Sequence, residues 1–398
     1  MAQAYIVDAL RTPTGRRKGS LSHVHAIDLG AAALKPLVER NNIPAEDYDD
    51  VIFGCVDTIG SQAGNIARTS WLAAGLPMNV PGTTVDRQCG SSQQAIHFAA
   101  QAVMSGTQDV IAVGGVQTMT QVPISSAMLA GQPLGFTTPF AESKLWNARF
   151  GDAPVNQFYA AQRIADHWNI SRADMEEFAL ESHRRALFAT AEGRFEREIV
   201  PCEGLSKDET PRESTLEKMA GLEPVDPTYP SITAAVSSSV CDASAAMLIV
   251  SERALKKYNL TPRARIHHIS VLGDDPIWHL RAPIPATEAA LKKSNLTLDD
   301  IDLVEINEAL PPLKDFILPG GNKAASYCHM VRSVSRRAER AIVTLANEEA
   351  EAGNEINPLA VQYLNRLSDF FFVLARSIAR QNGGKEVLWK SRHTEAKK

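Results

Sequence analysis

Residues 83–106 read TTVDRQCGSSQQAIHFAAQAVMSG, a strand-forming run followed directly by a helix-forming run. The run TTVDRQC is rich in residues that favour β-strands, and SSQQAIHFAAQAVMSG places apolar residues at helical spacing. Cys89 stands between the two runs, and the small residues Gly90, Ser91 and Ser92 follow it. We therefore expect Cys89 at the N-terminal end of a helix, where its small neighbours leave room for a substrate to reach the sulfur.

The position of Cys89 leaves two interpretations open. Backbone N–H groups at a helix N-terminus carry partial positive charge, which favours a thiolate and lowers the pKa of a thiol, so Cys89 is a candidate nucleophile. A buried structural cysteine is the commoner outcome for this residue type. The local residues alone do not choose between these roles.

Composition narrows the possible functions. The chain has 398 residues, of which 44% are hydrophobic and 22% are charged. This composition is typical of a globular protein, and the length allows two to three domains. The formal net charge of −5 lacks the basic excess typical of nucleic-acid-binding proteins. We therefore expect no nucleic-acid partner.

The cysteines and the apolar segments indicate the cellular compartment of the protein. Five cysteines, at positions 55, 89, 202, 241 and 328, are scattered and include no CxxC pair. This pattern disfavours a disulfide framework and a zinc site, so we expect no metal and a reducing cytoplasm. Asp8 and Arg11 interrupt the apolar N-terminal stretch, and no segment approaches the ~18 uninterrupted apolar residues of a membrane span. We expect no signal peptide and no membrane association.

Strand-forming and helix-forming runs alternate up to about residue 120, which predicts a parallel or mixed sheet covered by helices. Residues 121–232 are rich in turn formers around one amphipathic helix, a pattern that indicates a loop-built insertion. The alternation then returns with runs that include RARIHHISVLG (263–273) and the predicted strand IDLVEIN (301–307). From about residue 311 the chain is helix-forming.

Five stretches resemble, in the right order, motifs of the thiolases, enzymes that make or cleave 3-oxoacyl-CoA through an acyl-cysteine. They are YIVDALRTPTG (5–15), TTVDRQCGSSQQAIHFAAQAVMSG (83–106), GGVQTMTQVP (114–123), SSSVCDASAAMLIVS (237–251) and VEINEAL (304–310). Because these motifs occur in the family's order over roughly 310 residues, residues 1–310 resemble a thiolase.

The thiolase resemblance implies roles for particular residues. Cys89 would carry the acyl group, and Asn307, beside Glu308, would orient a water that helps to bind the substrate carbonyl oxygen. Ser238 would lie near the pantetheine arm of coenzyme A. Without the resemblance, Ser238 belongs to a Ser-rich turn and Asn307 to a strand-end turn. The resemblance further implies coenzyme A as a substrate, no tightly bound cofactor, and a homo-oligomer, either a dimer or a tetramer.

Two thiolase motifs do not occur in this sequence. The family carries an activating histidine in a GHPxG motif and an acid/base cysteine in a CxGGG motif, and neither pattern is present. The late cysteine, Cys328, stands in AASYCHMVR instead. General acid–base assistance is worth ~10²–10⁴-fold where it operates, so we expect impaired turnover.

The C-terminal stretches resemble the ATP-dependent corrinoid adenosyltransferases of the helical-bundle type, which transfer the adenosyl group of ATP to reduced cobalamin. The matching stretches are FILPGGNKAASYCHMVRSVSRRAER (316–340), INPLAVQYLNRLSDFFFVLAR (356–376) and EVLW (386–389). By this resemblance, the ATP-site helix carries Arg332, Arg336, Arg337 and Glu339, and Asn365 lies on the next helix near the nucleotide and corrinoid sites. The alternative is a solvated basic stripe. The family's nucleotide loop has no counterpart here, so ATP and cobalamin are doubtful ligands.

Together the resemblances predict an α/β protein that ends in a helical fragment. Its expected parts are a thiolase-like αβα N-terminal half (1–120 and 233–262), an inserted loop domain (121–232), the truncated start of a thiolase C-terminal half (263–310) and a helical adenosyltransferase-like fragment (311–398). The junction near Leu310 is compatible with a recombined or artificial chimera, a mis-assembled gene or a repurposed natural protein.

Three functions remain as hypotheses. The first is a thiolase-type acyltransferase with reduced or absent turnover that acts on 3-oxoacyl-CoA or acetyl-CoA. The second is a corrinoid adenosyltransferase activity of residues 311–391. The third is a non-catalytic protein, either a catalytically inactive chimera or a protein that binds coenzyme A or another partner.

Overall fold

The structure of the chain is a computed structural model that describes residues 2–305 and, beyond them, Leu345. Across these residues the backbone forms one mixed sheet of seven strands. The strands are β1 (Ala4–Arg11), β2 (Gly15–Arg16), β3 (Asp50–Gly54), β4 (Gly82–Val85), β5 (Val110–Thr118), β6 (Cys241–Ser251) and β7 (Ala264–Arg265).

Ten α-helices accompany the sheet in the part of the chain that the structure describes. They are α1 (Ala26–Arg40), α2 (Ile66–Ala73), α3 (Ser91–Ser105), α4 (Ser126–Leu129), α5 (Lys144–Phe150), α6 (Gln157–Trp168), α7 (Arg172–Ala191), α8 (Leu216–Ala220), α9 (Glu252–Lys257) and α10 (Pro283–Ser294). Within residues 2–305, none of these helices has the length and apolar character that crossing a bilayer requires.

The strand order places the ends of three parallel strands side by side. The order is β4-β3-β5-β6-β1-β7, and β2 pairs with β6. Strand β3 runs parallel to both β4 and β5, so the carboxyl ends of these three strands meet at one edge of the sheet. Strand β6 runs antiparallel to β5, with Asp242 opposite Thr118, so β6 begins at that same edge.

Helices cover both faces of the sheet, which confirms the expected αβα arrangement. Side chains alternate between the two faces of a strand. On β5, Val110 and Ala112 belong to one core cluster, which includes buried residues of α1 and α2. Ile111 and Val113 belong to the other cluster, which includes buried alanines of α3. The sheet is therefore the middle layer of three.

The described chain divides into two compact units. Of the described residues, the first unit comprises 2–163 and 171–290, and the second comprises 164–170 and 291–305. Residues 121–232 contain helices α4 to α8 and none of the seven strands of the described sheet. The domain boundaries expected from the sequence stay predictions.

Two strand expectations are wrong. The run at 263–273 forms only the two-residue strand β7, and residues 301–305 of the predicted strand IDLVEIN are not in a strand. Leu303 and Val304 are 85% and 70% exposed, so their apolar side chains are not packed as those of an inner strand are. Strand-forming residues specify a strand only where a neighbouring strand is present to pair with them.

Candidate active site

The turn that carries Cys89 is a short connection between a strand and a helix. Strand β4 ends at Val85 and helix α3 begins at Ser91. Gln88, just before Cys89, has a positive φ of 48°, a conformation that non-glycine residues adopt rarely. The Gln88 N–H donates to Asp86 Oδ1 at 2.8 Å, which helps to hold this conformation. As expected, Cys89 lies at the N-terminal end of a helix.

Ser91 closes the turn on the side of the helix. Its hydroxyl accepts a hydrogen bond from the Arg87 N–H at 2.8 Å and donates one to the Gln88 carbonyl oxygen. The backbone N–H of Ser91 also donates to the Gln88 carbonyl at 3.0 Å. Ser91 is buried, and its bonds fix the loop on either side of the cysteine.

Close packing on glycine places the start of α3 on the sheet. A Cβ atom on Gly54 of β3 would lie 2.2 Å from the backbone nitrogen of Ser92, and one on Gly115 of β5 would lie 3.0 Å from Ser92 Cβ. Further along α3, Ala95 and Ala99 are fully buried against the sheet. Because small residues let the start of the helix approach the strands closely, the sheet fixes the position of the Cys89 turn.

Gln157 lies beside the sulfur. The Gln157 side-chain amide donates to Cys89 Sγ, with Nε2 at 3.6 Å. Gln157 is the first residue of α6, and both residues are exposed. Sequence reasoning did not find Gln157, because 68 positions separate it from Cys89. No local pattern marks it.

The environment of Cys89 differs from that of the other described cysteines. Burial, with smaller contributions from Asp86 and Asp57, raises the pKa of the Cys55 thiol to about 12. Burial also raises the pKa of Cys202 and of Cys241. Cys89 is exposed. Among the cysteines in residues 2–305, Cys89 is therefore the one whose setting suits a reactive thiol.

The pKa values of His97 and His279 are lowered. Burial, and secondarily the positive charge of Arg87, lowers the pKa of His97 on α3. Burial alone lowers the pKa of His279. Both therefore favour the neutral imidazole, the form that accepts a proton. His329 lies outside the described residues.

The remaining site residues expected from the sequence are only partly described. Ser238 is exposed in the segment just before β6, which begins at the sheet edge where β4 ends. Ser238 and Cys89 are thus placed at the same edge. The other expected residues lie outside the described part of the chain; they are Asn307, Arg332, Arg336, Arg337, Glu339 and Asn365.

Comparison with known proteins identifies the family. Residues 4–253 match the profile of the family described as thiolase, N-terminal domain. The steroid 3-ketoacyl-CoA thiolase FadA6 of Mycobacterium tuberculosis is 56% identical to the chain over 317 residues, which are 79% of this chain and 78% of that protein. The chain belongs to the thiolase family.

Other thiolases are similar over the same extent. The 3-ketoacyl-CoA thiolase of Idiomarina loihiensis is 40% identical over 332 residues, which cover 79% of this chain and 83% of that protein. The beta-ketoadipyl-CoA thiolase of Acinetobacter baylyi is 40% identical over 328 residues, covering 78% and 81%. A crystal structure of the Bacillus anthracis acetyl-CoA acetyltransferase superposes with a TM-score of 0.66 at 33% identity, covering 78% of this chain and 81% of that one.

A second family matches the end of this thiolase. Residues 279–378 match the profile described as cobalamin adenosyltransferase. Both resemblances expected from the sequence are therefore confirmed, and the chain joins a thiolase region to an adenosyltransferase-like region.

Proposed function

We propose that the chain is a thiolase-type acyltransferase that carries the acyl group of a 3-oxoacyl-CoA or of acetyl-CoA on Cys89. The observation that carries the proposal is the placement of Cys89. In a chain that belongs to the thiolase family, this cysteine is exposed at the N-terminal end of α3. The partial positive charge of the helix end favours the thiolate, which is the nucleophilic form.

Acyl transfer from acetyl-CoA is the simpler of two reactions that this cysteine would perform. The thiolate attacks the thioester carbonyl carbon, and the tetrahedral adduct collapses with loss of the coenzyme A thiolate, which takes up a proton. The acetyl group remains on Cys89 as a new thioester. The reverse reaction returns it to coenzyme A, which is a substrate here; the acyl-cysteine chemistry needs no tightly bound cofactor.

Cleavage of a 3-oxoacyl-CoA makes a further demand. The thiolate adds to the carbonyl at C3, the C2–C3 bond breaks, and its electron pair remains on C2 of the departing acetyl-CoA. That carbon must then gain a proton. The GHPxG and CxGGG motifs, which supply the proton-transfer groups in the family, do not occur in this sequence. We therefore expect slow acylation of Cys89 and still slower cleavage.

Ser238 and Asn307 have supporting parts in this proposal. Ser238, at the same sheet edge as the Cys89 turn, would contact the pantetheine arm of coenzyme A. Asn307 would help to bind the carbonyl oxygen through a water.

The substrate range, assembly and location belong to the same proposal. The relatives named above act on steroid 3-ketoacyl-CoA, 3-ketoacyl-CoA and beta-ketoadipyl-CoA thioesters, which supports an acyl-CoA substrate. We propose a homo-oligomer, either a dimer or a tetramer, in the cytoplasm. In the described chain, large apolar side chains of residues 121–232 are exposed, which supports assembly; they include Leu134 at 78%, Phe136 at 61% and Leu145 at 86%.

A second candidate function rests on the match of residues 279–378 to cobalamin adenosyltransferase. Arg332, Arg336 and Arg337 would bind the ATP polyphosphate, and Asn365 would lie near the corrinoid. The nucleotide loop of that family has no counterpart in the sequence, so we rank this activity second.

The test is acylation by acetyl-CoA, followed by peptide mapping of the modified cysteine. The expected result is a thioester on Cys89 that disappears in Cys89→Ala and persists in Cys241→Ala, whose replaced thiol is partly buried. Acylation that persists in Cys89→Ala would overturn the proposal.

A further inference from the structure

Gln157 donates the hydrogen bond to the Cys89 sulfur at 3.6 Å and belongs to a different part of the chain from the cysteine turn. We propose that Gln157 is a positioning residue for the Cys89 nucleophile: its amide N–H fixes the direction of the sulfur and stabilises the thiolate. This inference rests on the proposed function, because it gives Gln157 a role in preparing the same nucleophile.

The direction of the hydrogen bond determines which form of the Cys89 side chain it stabilises. The amide nitrogen of glutamine only donates, and a thiolate only accepts. A hydrogen bond to the charged form of a group favours that form, and it is stronger than the corresponding bond to the neutral form. The Gln157 amide therefore lowers the free energy of the thiolate relative to that of the thiol.

The N-terminal end of α6 is fixed independently of the Cys89 turn. Asn156 precedes the helix, and its Oδ1 accepts the Tyr159 N–H at 2.8 Å, the geometry of a helix N-cap. Further along α6, the Gln162 side chain exchanges two hydrogen bonds with Ser231, at 3.0 and 3.3 Å. These contacts hold the first residue of α6 in place.

The hydrogen bond joins residues at the N-terminal ends of two helices. Cys89 lies two positions before the start of α3, and Gln157 is the first residue of α6. Helices α3 and α6 contain 15 and 12 residues, long enough for each to carry a substantial dipole. The positive end of α3 favours a negative charge on the sulfur, and the Gln157 side chain adds a hydrogen bond that favours the same charge.

The experiment measures the rate at which iodoacetamide alkylates Cys89 in the full-length chain. The rate is followed from about pH 6 to about pH 10, which brackets the ordinary thiol pKa of ~8.5. The variants are Gln157→Met, which keeps the side-chain length but has no donor, and Gln157→Glu, which adds a negative charge. The matched control is Gln93→Met, which replaces an exposed glutamine on α3.

The variants should move the midpoint of the pH profile in a defined order. Gln157→Met should raise it by about half to one pH unit, the size expected for one lost hydrogen bond. Gln157→Glu should raise it further, and Gln93→Met should leave it unchanged. A midpoint in Gln157→Met equal to that of the wild type would overturn the proposal, as would an equal shift in Gln93→Met.

Thermal unfolding of each variant shows that the chain is folded when the profile is taken. If Gln157→Met does not fold, Gln157→Lys replaces it as the test. The lysine supplies a donor and adds a positive charge, so it should lower the midpoint of the pH profile. A raised midpoint would contradict the proposal. Alkylation needs no acyl transfer. A shifted profile in a chain that never forms an acyl-cysteine would therefore refute the proposed function while leaving the role of Gln157 intact.

Discussion

Gly54 of β3 and Ser92 of α3 are in backbone contact, and a Cβ atom on Gly54 would lie only 2.2 Å from the Ser92 nitrogen. The helix that carries Cys89 at its N-terminal end rests on the sheet through this contact. The sheet therefore determines where the sulfur lies.

Replacing Gly54 tests this contact. Gly54→Ala should lower the free energy of unfolding by about 1–3 kcal/mol, because the added methyl group forces α3 away from β3. Chemical denaturation measures the change. Gly273→Ala is the control, since a Cβ there meets no atom within 4 Å. An unchanged stability of Gly54→Ala would show that α3 does not pack on the strand as described.

The described cysteines should differ in reactivity. Iodoacetamide near neutral pH should label Cys89 first, because burial raises the pKa of Cys55 to about 12 and also raises the pKa of Cys202 and Cys241. Peptide mapping at short reaction times measures the order. Faster labelling of Cys55 than of Cys89 would contradict the site geometry.

An ion pair ties the first strand to the inserted segment. The Arg11 guanidinium contacts both carboxylate oxygens of Asp208, with Nη1 2.6 Å from Oδ1 and Nη2 3.0 Å from Oδ2, and the Thr14 N–H donates to Oδ1 at 2.8 Å. Burial raises the pKa of Asp208, but the hydrogen bonds from Arg11 and Thr14 outweigh it, so the pKa is lowered overall.

This ion pair should make stability depend on pH. The folded-state pKa of Asp208 lies below its unfolded value of ~3.9, so the pair stabilises the fold above about pH 4 and its contribution is lost as the pH falls through the folded-state pKa. Asp208→Asn should lower the free energy of unfolding at neutral pH by about 1–3 kcal/mol, a deficit that shrinks in acid. Denaturation at a series of pH values measures both effects.

An exposed ion pair provides the control for Asp208. Glu181 pairs with Arg184 and Arg185, but its side chain is 40% exposed. Glu181→Gln should change the free energy of unfolding by less than about 1 kcal/mol. Equal effects of the two substitutions on the free energy of unfolding would show that burial does not strengthen the contribution of the Asp208 pair.

The adenosyltransferase-like region should bind ATP weakly and show no turnover. Arg332, Arg336 and Arg337 supply positive charge without the nucleotide loop that positions ATP in that family. Binding should weaken as salt screens the charges, and Arg336→Ala should weaken it further. ATP titration at low and high salt, then an assay of adenosylcobalamin formation, measures both. Steady multiple turnover would contradict this prediction and would make adenosyltransferase the preferred function of the chain.

Local patterns in the sequence predicted much of the fold. The sequence AIDLGAAALKPLVER (26–40) has an apolar stripe at helical spacing, which is typical of a helix, and it forms α1. The run TTVDRQC was predicted as a strand through Cys89, but β4 ends at Val85, because the hydrogen bonds of the next residues form a turn. The strand propensity of a residue does not indicate such hydrogen bonds.

Long-range contacts could not be predicted from the sequence. Ala4 pairs with Ser251 across the sheet, and Gln157 meets Cys89 although 68 positions separate them. No periodic pattern in the sequence predicts either contact, since each depends on how separate elements pack. The position of Cys89 could be predicted because the strand-to-helix transition around it is local.

The most direct test of the central claim is intact-mass analysis of the full-length chain after incubation with acetyl-CoA, with peptide mapping of the product. The account predicts one acetyl group on Cys89, accumulating faster as the pH rises towards the ordinary thiol pKa of ~8.5, and none on Cys89→Ala. A folded wild-type chain that gains no acetyl group on Cys89, or a Cys89→Ala chain that gains the same adduct, would contradict it.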